Sequence, residues 1–191
     1  TKRLLAIEEK ADAIIDVLPP QFRPKLNLEV LRPDKEVDHW KGNKDNRYVW
    51  IKYSDLQCNY CASVYPEINT FLANNSQDVT FIFRHFPVIN QDSQKLAELA
   101  ECTAKYNGES AFWNFVENAY NKKIPIDIKT EEDLSAYVEN ASQVWSCVEK
   151  KEALPKIERD LNDGVKATVN GTPTFILYDT QTGNTKFVQN P

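Results

Sequence analysis

Apolar positions recur along this chain with two different spacings, and the change from one to the other marks out its elements. Over residues 2–18, Leu4, Ile7, Ala11, Ile14 and Leu18 fall at three- and four-residue steps. That pattern predicts an amphipathic helix with one apolar stripe, stopped by Pro19 and Pro20. The stripe either packs on its own domain or spaces it from a membrane anchor. A dimerising coiled coil is the alternative, but the repeat spans only about two heptads. Residues 28–31 predict a short strand, and residues 47–53 a longer one. A helix follows with Val64, Ile68, Phe71 and Leu72 on one face, and Pro66 is expected to kink it by removing a backbone donor. Over residues 79–86, Val79, Phe81 and Phe83 point one way and Ile82 the other, predicting a central strand that ends at Pro87.

Residues 92–163 return to the helical period, with Leu96, Leu99 and Ala100 on one face and Phe112, Phe115, Val116 and Tyr120 on others. Residues 124–126 break the run. Thr130 with the acidic residues after it predicts a helix start. Trp113 and Trp145 are expected as core aromatics of this region. A last helix begins near Ala153, with Pro155 tolerated in its first turn. Residues 174–178 and 186–189 then predict a hairpin around a turn at 179–184.

With 191 residues the chain is long enough for one domain carrying an insertion. A net charge of −5 and the lack of a basic stripe argue against nucleic acid as a partner. No apolar run approaches the roughly 20 residues of a membrane span. The chain starts at Thr1 and holds no methionine, which leads us to expect a trimmed chain, compatible with a removed signal peptide or membrane anchor.

The chemistry concentrates at Cys58 and Cys61. Two thiols three residues apart can bridge, and here they follow a strand and open a helix. Free N–H groups and the helix dipole stabilise a thiolate at such a place. Cys58 is therefore read as the outer, attacked sulfur and Cys61 as the buried resolving one. A zinc site would need a second tightly spaced ligand pair, whereas Cys102, Cys147, His39 and His85 are scattered, so no metal is expected. A purely structural Cys58–Cys61 bridge would close too short a loop to stabilise much. His39 and His85 are expected to be structural. Far downstream, Gly171-Thr172-Pro173-Thr174-Phe175 places a proline at a strand entry, where it is either an ordinary trans residue or a cis residue in a tight turn.

Taken together, residues 53–61, residues 83–87 (Phe-Arg-His-Phe-Pro) and residues 171–175 make the chain resemble the thioredoxin superfamily, and within it the DsbA-like thiol:disulfide oxidoreductases. The resemblance runs over roughly residues 38–190. It implies an α/β thioredoxin fold with an inserted helical domain: residues 25–91 and 164–191 as the core, residues 92–163 as the insertion, and residues 1–24 as an N-terminal helix and linker. It also implies that Pro173 is cis and faces the cysteine pair, with Thr172 lining a substrate-binding edge. Cys102 and Cys147 are either a second, structural disulfide or two buried thiols. Some DsbA-like proteins carry such a bridge.

Two positions depart from the family pattern. Asn59 stands where proline is common, beside Tyr60. Lys52 stands where the family usually has a buried acid. It either snorkels to solvent with only its stem buried, or lies beside the sulfurs, where its charge would favour thiolate and burial would oppose that charge.

The function expected is donation of disulfides to extracytoplasmic, cysteine-containing client proteins. The protein would act without a cofactor, as a monomer, with reoxidation by a membrane redox partner. It would lie in the periplasm or on the outer face of the cell membrane. The alternatives are a reductase or isomerase, a redox-inert peptide-binding module of the same fold, and an interaction protein built on residues 2–18.

Overall fold

The structure, a computed structural model, describes residues 28–124 and 128–188. The helix expected over residues 2–18, the end of the hairpin beyond Val188 and part of the break near Pro125 lie outside the described residues.

Five strands form one mixed sheet: β1 (His39–Lys41), β2 (Tyr48–Ser54), β3 (Val79–His85), β4 (Thr174–Asp179) and β5 (Thr185–Val188). Their order is β1-β3-β2-β4-β5. β2 runs parallel to β3 with Lys52 opposite Phe83, and antiparallel to β4 with Lys52 opposite Phe175. β1 and β5 pair antiparallel at the two edges. Central strands are covered on both faces, so β2 and β3 are buried almost throughout.

The two-residue period divides the core in two. Trp50, Phe81, Phe83 and Phe175 face one layer of helices. Val49, Ile51, Tyr53, Ile82 and Ile176 face the other side, with Trp40, Phe86, Ala167 and Val169.

The helices are α1 (Asn59–Ser63), α2 (Tyr65–Asn75), α3 (Gln91–Asn107), α4 (Glu109–Tyr120), α5 (Glu131–Ser135), α6 (Ala141–Glu149) and α7 (Leu154–Lys166). Asn90 caps α3 and Thr130 caps α5, each through a reciprocal capping box. Pro66 does more than kink the helix expected after the cysteines. It divides that helix into α1 and α2, taking one of the first positions of α2, where a missing N–H costs nothing.

Two other expectations are corrected, and one alternative is resolved. Residues 28–31 form no strand. They are held through side chains instead, the Thr185 hydroxyl accepting from Leu28 N and Asp163 accepting from Leu31 N. Trp113 and Trp145 are half-buried at the margin of the helical layer, each donating its indole N–H to a glutamate four residues away. Of the two placements left open for Lys52, the structure shows the buried one: its side chain has no solvent-accessible surface.

Cys102 on α3 and Cys147 on α6 are joined by a disulfide with a Cα–Cα distance of 5.9 Å, tying two helices of the same layer. Opposite, α7 lies across β3. Gly164 on α7 lets it approach closely: a Cβ there would meet the Phe86 ring at 2.7 Å and Tyr53 at 3.1 Å.

A network of buried charge ties α7 to the sheet. Arg84 donates two hydrogen bonds to Asp38 and one, of 2.5 Å, to Asp163; Asp163 also accepts from the Tyr53 hydroxyl. Asp38 is bonded a third time, by Arg159. At the end of β3, Glu101 lies 3.1 Å from both His39 and His85 and 3.6 Å from Lys156. The two histidines are thus committed to structure. Arg84 has two hydrogen-bonded counter-ions, Asp38 and Asp163, the condition under which such a group is tolerated.

Candidate active site

β2 ends at Ser54 and hands the chain to a turn fixed by Asp55. Its carboxylate accepts from Gln57 N on one oxygen and from Val88 N and Ile89 N on the other. Its carbonyl accepts from Cys58 N at 3.1 Å. This turn delivers Cys58 to the N-cap of α1, with extended backbone.

The Cys58 sulfur accepts from Cys61 N at 3.2 Å and makes a 3.3 Å contact with the Thr172 carbonyl oxygen, toward which its S–H points. Cys58 and Cys61 are unbridged thiols. Cys58 retains 7% exposure while Cys61 has none. Access is therefore one-sided: a reactant reaches Cys58 first.

The Thr172–Pro173 peptide bond is cis, and the hydroxyl of Thr174, the first residue of β4, donates to the Gly171 carbonyl. This segment brings the Thr172 carbonyl to the Cys58 sulfur. Beside Cys58 lies a groove of about 490 Å³, bordered by Gln57, Asn59, Ile89, Leu96, Tyr120 and Ile124. Asn59 lines it, whereas Tyr60 is 61% exposed and is absent from its lining.

Beneath the thiols the site is polar but sealed. Lys52 Nζ donates to the Cys61 carbonyl at 3.3 Å and reaches the Tyr120 hydroxyl at 3.5 Å. It lies over the Tyr120 ring at 4.8 Å and the Tyr65 ring at 5.7 Å. The Tyr120 hydroxyl is 2.6 Å from Ser54 Oγ. Burial lowers the Lys52 ammonium to about 8, with the two cysteines pulling the other way. Burial pushes the Cys61 thiol up to about 11, against the opposing pull of Lys52. Burial likewise holds the Tyr120 phenol well above its ordinary value.

Sequence reasoning named Cys58, Cys61, Asn59, Lys52, Thr172 and Pro173, and the structure brings these together. It missed Ser54, Asp55 and Tyr120. Ser54 was legible, since it shares a strand face with Lys52 two residues away. Tyr120 was not, because it arrives from α4, far along the chain. No cluster of His, Cys, Asp or Glu suited to a metal occurs among the described residues.

The chain belongs to the thioredoxin family, whose model, described as Thioredoxin, matches residues 34–189. Among solved structures, DsbA2 of Pseudomonas aeruginosa superposes with a TM-score of 0.70 at 20% identity, covering 84% of this chain and 88% of that one. Oxidised BdbD of Bacillus subtilis gives 0.67 at 18% identity, covering 86% and 90%. These matches establish the DsbA-type arrangement of a thioredoxin fold with inserted helices.

Curated relatives include the Na(+)/H(+) antiporter NhaA 3 of Salinispora tropica, 24% identical over 92% of this chain. Another is the Na(+)/H(+) antiporter NhaA 1 of Mycolicibacterium gilvum, 23% identical over 83%. The chain spans about a quarter of their length, 25% and 26% respectively.

Proposed function

We propose that this protein is a thiol–disulfide oxidoreductase that donates disulfides to cysteine-containing proteins outside the cytoplasm, through Cys58 and Cys61. The observation carrying this reading is the placement of Cys58. It caps a helix, its sulfur receives the Cys61 N–H, and it faces the Thr172 carbonyl at the lip of an open groove. A backbone donor and a helix N-terminus stabilise a thiolate there, which makes Cys58 a good leaving group and its disulfide easily attacked.

A client thiolate attacks Cys58 Sγ of the Cys58–Cys61 disulfide, and Cys61 leaves. A second client thiol, as thiolate, then attacks the client sulfur of the mixed disulfide, and Cys58 leaves as thiolate. The client gains a disulfide and the protein ends as a dithiol. A separate oxidant, in this reading a membrane redox partner, restores the disulfide. The Thr172 hydroxyl, buried with no hydrogen-bond partner among the described residues, supports polar contact with an extended client segment beside Pro173.

The test is the equilibrium potential of the pair in glutathione buffers. A value near about −120 mV supports donation, and one near about −270 mV assigns the reducing direction instead. Retained client binding by a Cys58→Ser variant, with no exchange by the parent, would leave only a redox-inert binder.

The antiporter similarity supports a second reading, in which this unit is the thiol-exchanging part of a longer membrane protein. Membrane fractionation of the full gene product distinguishes the two.

A further inference from the structure

Away from the cysteines, a second groove of about 490 Å³ opens between α4 and residues 137–139, in the turn that leads from α5 to α6. It shares no lining residue with the groove beside Cys58. Asn107, at the end of α3, holds one wall in place. Its side chain donates to the Glu139 carbonyl and accepts from Asn140 Nδ2, both at 2.7 Å. The turn is thus pinned to the helical layer by bonds internal to the protein.

α4 supplies the other wall. Ser110, Asn114 and Asn118 follow one another at four-residue steps, so their side chains form one ridge with about 6 Å between neighbours. None of the three side chains has a hydrogen-bond partner among the described residues. Thr103 of α3 lines the same groove; it is buried, and its hydroxyl has no partner among the described residues either. A buried hydroxyl in that state has lost its bonds to water and gained none, which is uncommon in a folded chain.

The charges narrow the class of ligand. Glu117 and Glu139 line the groove, and among the described residues no cationic side chain does. Phosphates and acidic segments would meet like charge there. A carboxamide offers both a donor and an acceptor, and so matches both polar groups of a peptide unit. In an extended chain every second residue faces the same way, at intervals of about 6.6–6.8 Å. The ridge on α4 repeats at nearly that interval, and a mismatch of under about 1 Å per step is within reach of a rotating side chain. Ala111, Phe115 and Val138 add apolar surface beside the ridge.

We propose that this groove is a second binding site, separate from the thiols, for an extended polypeptide segment of neutral or basic character, its main chain read by Ser110, Asn114 and Asn118. Binding there stands apart from the thiol-exchange reading. Its use, which is to hold a client chain while Cys58 engages the client's cysteine, rests on that reading.

The probe is a cysteine-free peptide of about eight residues, threonine and glutamine with one lysine at each end, long enough for three contacts at two-residue spacing. A twin carries glutamates in place of the lysines. Binding to the intact protein is followed by backbone amide chemical shifts. We expect the lysine peptide to move the signals of residues 110–118 and 137–139 and to leave those of Cys58 and Thr172 in place, and the glutamate twin to bind more weakly. Asn114→Ala and Asn118→Ala should each weaken the lysine peptide by roughly 2- to 10-fold. Neither residue is buried and alanine favours a helix, so both variants keep the fold. Equal affinity in both variants overturns the proposal, as do shifts confined to the Cys58 groove, a glutamate twin that binds as well, or a response to an uncharged oligosaccharide and not to the peptide. For a cysteine-containing client chain long enough to cover both grooves, the double variant should raise KM and leave exchange with glutathione unchanged; an unchanged KM overturns the use in exchange. If the parent protein exchanges no thiols, the reading of Cys58 and Cys61 falls, while the peptide measurements still decide this one.

Discussion

Replacing Cys102 and Cys147 together with alanine should cost this protein a large part of its stability. The bridge joins α3 to α6 across 45 residues of chain. In the chain-entropy description, opening a loop of that length returns about 13 cal/mol/K to the unfolded state, or about 4 kcal/mol at 25 °C. Both cysteines are buried, at 0% and 1% exposure, so two sulfur-sized voids add to the loss. For a chain of this length, about 4 kcal/mol corresponds to a fall in melting temperature of roughly 8–16 °C. The assay is urea unfolding at neutral pH, with Cys58 and Cys61 changed to serine in both proteins so that only one bridge is varied. The dependence on urea should also steepen, because the unfolded chain expands once the loop is open. A loss below about 1 kcal/mol would refute the reasoning, since it would mean that the unfolded chain already holds α3 and α6 together without the bond.

Three further outcomes are expected. Burial disfavours the His39 imidazolium, but Glu101 and Glu109 outweigh it and raise His39 to about 9; this stabilisation is complete below about pH 6.5 and fades as pH rises through about 9. It is worth on the order of 3 kcal/mol, so urea midpoints should drop over that range in the parent and stay flatter in His39→Gln. Arg84→Met leaves Asp163 buried without its cation and Asp38 with only Arg159, a loss of about 3–5 kcal/mol in equilibrium unfolding; a neutral result would show that water enters this network freely. Gly164→Ala gains about 0.5–1 kcal/mol of helix preference but drives a methyl into the Phe86 ring at 2.7 Å, so the net change should be a loss on the order of 1 kcal/mol, and a more stable variant would show that Phe86 yields without cost.

Much of this fold could be read from alternation. The opposed directions of Phe81 and Ile82 in β3 were visible in the chain, and they are the division of the core into two layers. The capping box at Thr130 and the proline near the start of α7 were legible too, because both rest on contacts within one helical turn. Residues 28–31 misled because an alternating apolar segment is compatible with a strand, yet a strand needs a free edge with which to pair. Here the neighbouring backbone partners are replaced by Thr185 and Asp163 side chains, which no local pattern announces. Pro66 misled in degree. A kink and a break differ only in whether the next turn finds a new start, and Val64 supplies one by capping α1 and opening α2.

The site divides along the same line. Cysteine spacing is local chemistry, so the Cys58 position at a helix start could be reasoned from residues alone. Lys52 could not be resolved that way. Parity placed it on the same strand face as Trp50 and Ser54, but parity does not say what covers that face. A snorkelling lysine needs a path to water about as long as its own stem. That path is closed by Tyr65 from α2 and Tyr120 from α4, whose rings both lie over the ammonium. Two aromatic faces attract a cation but do not replace a counter-ion. Beyond them the ammonium donates to the Cys61 carbonyl and stands beside both cysteines, partners that arrive with α1. What covers a strand face is thus decided by helices elsewhere in the chain, and no local pattern around Lys52 announces it.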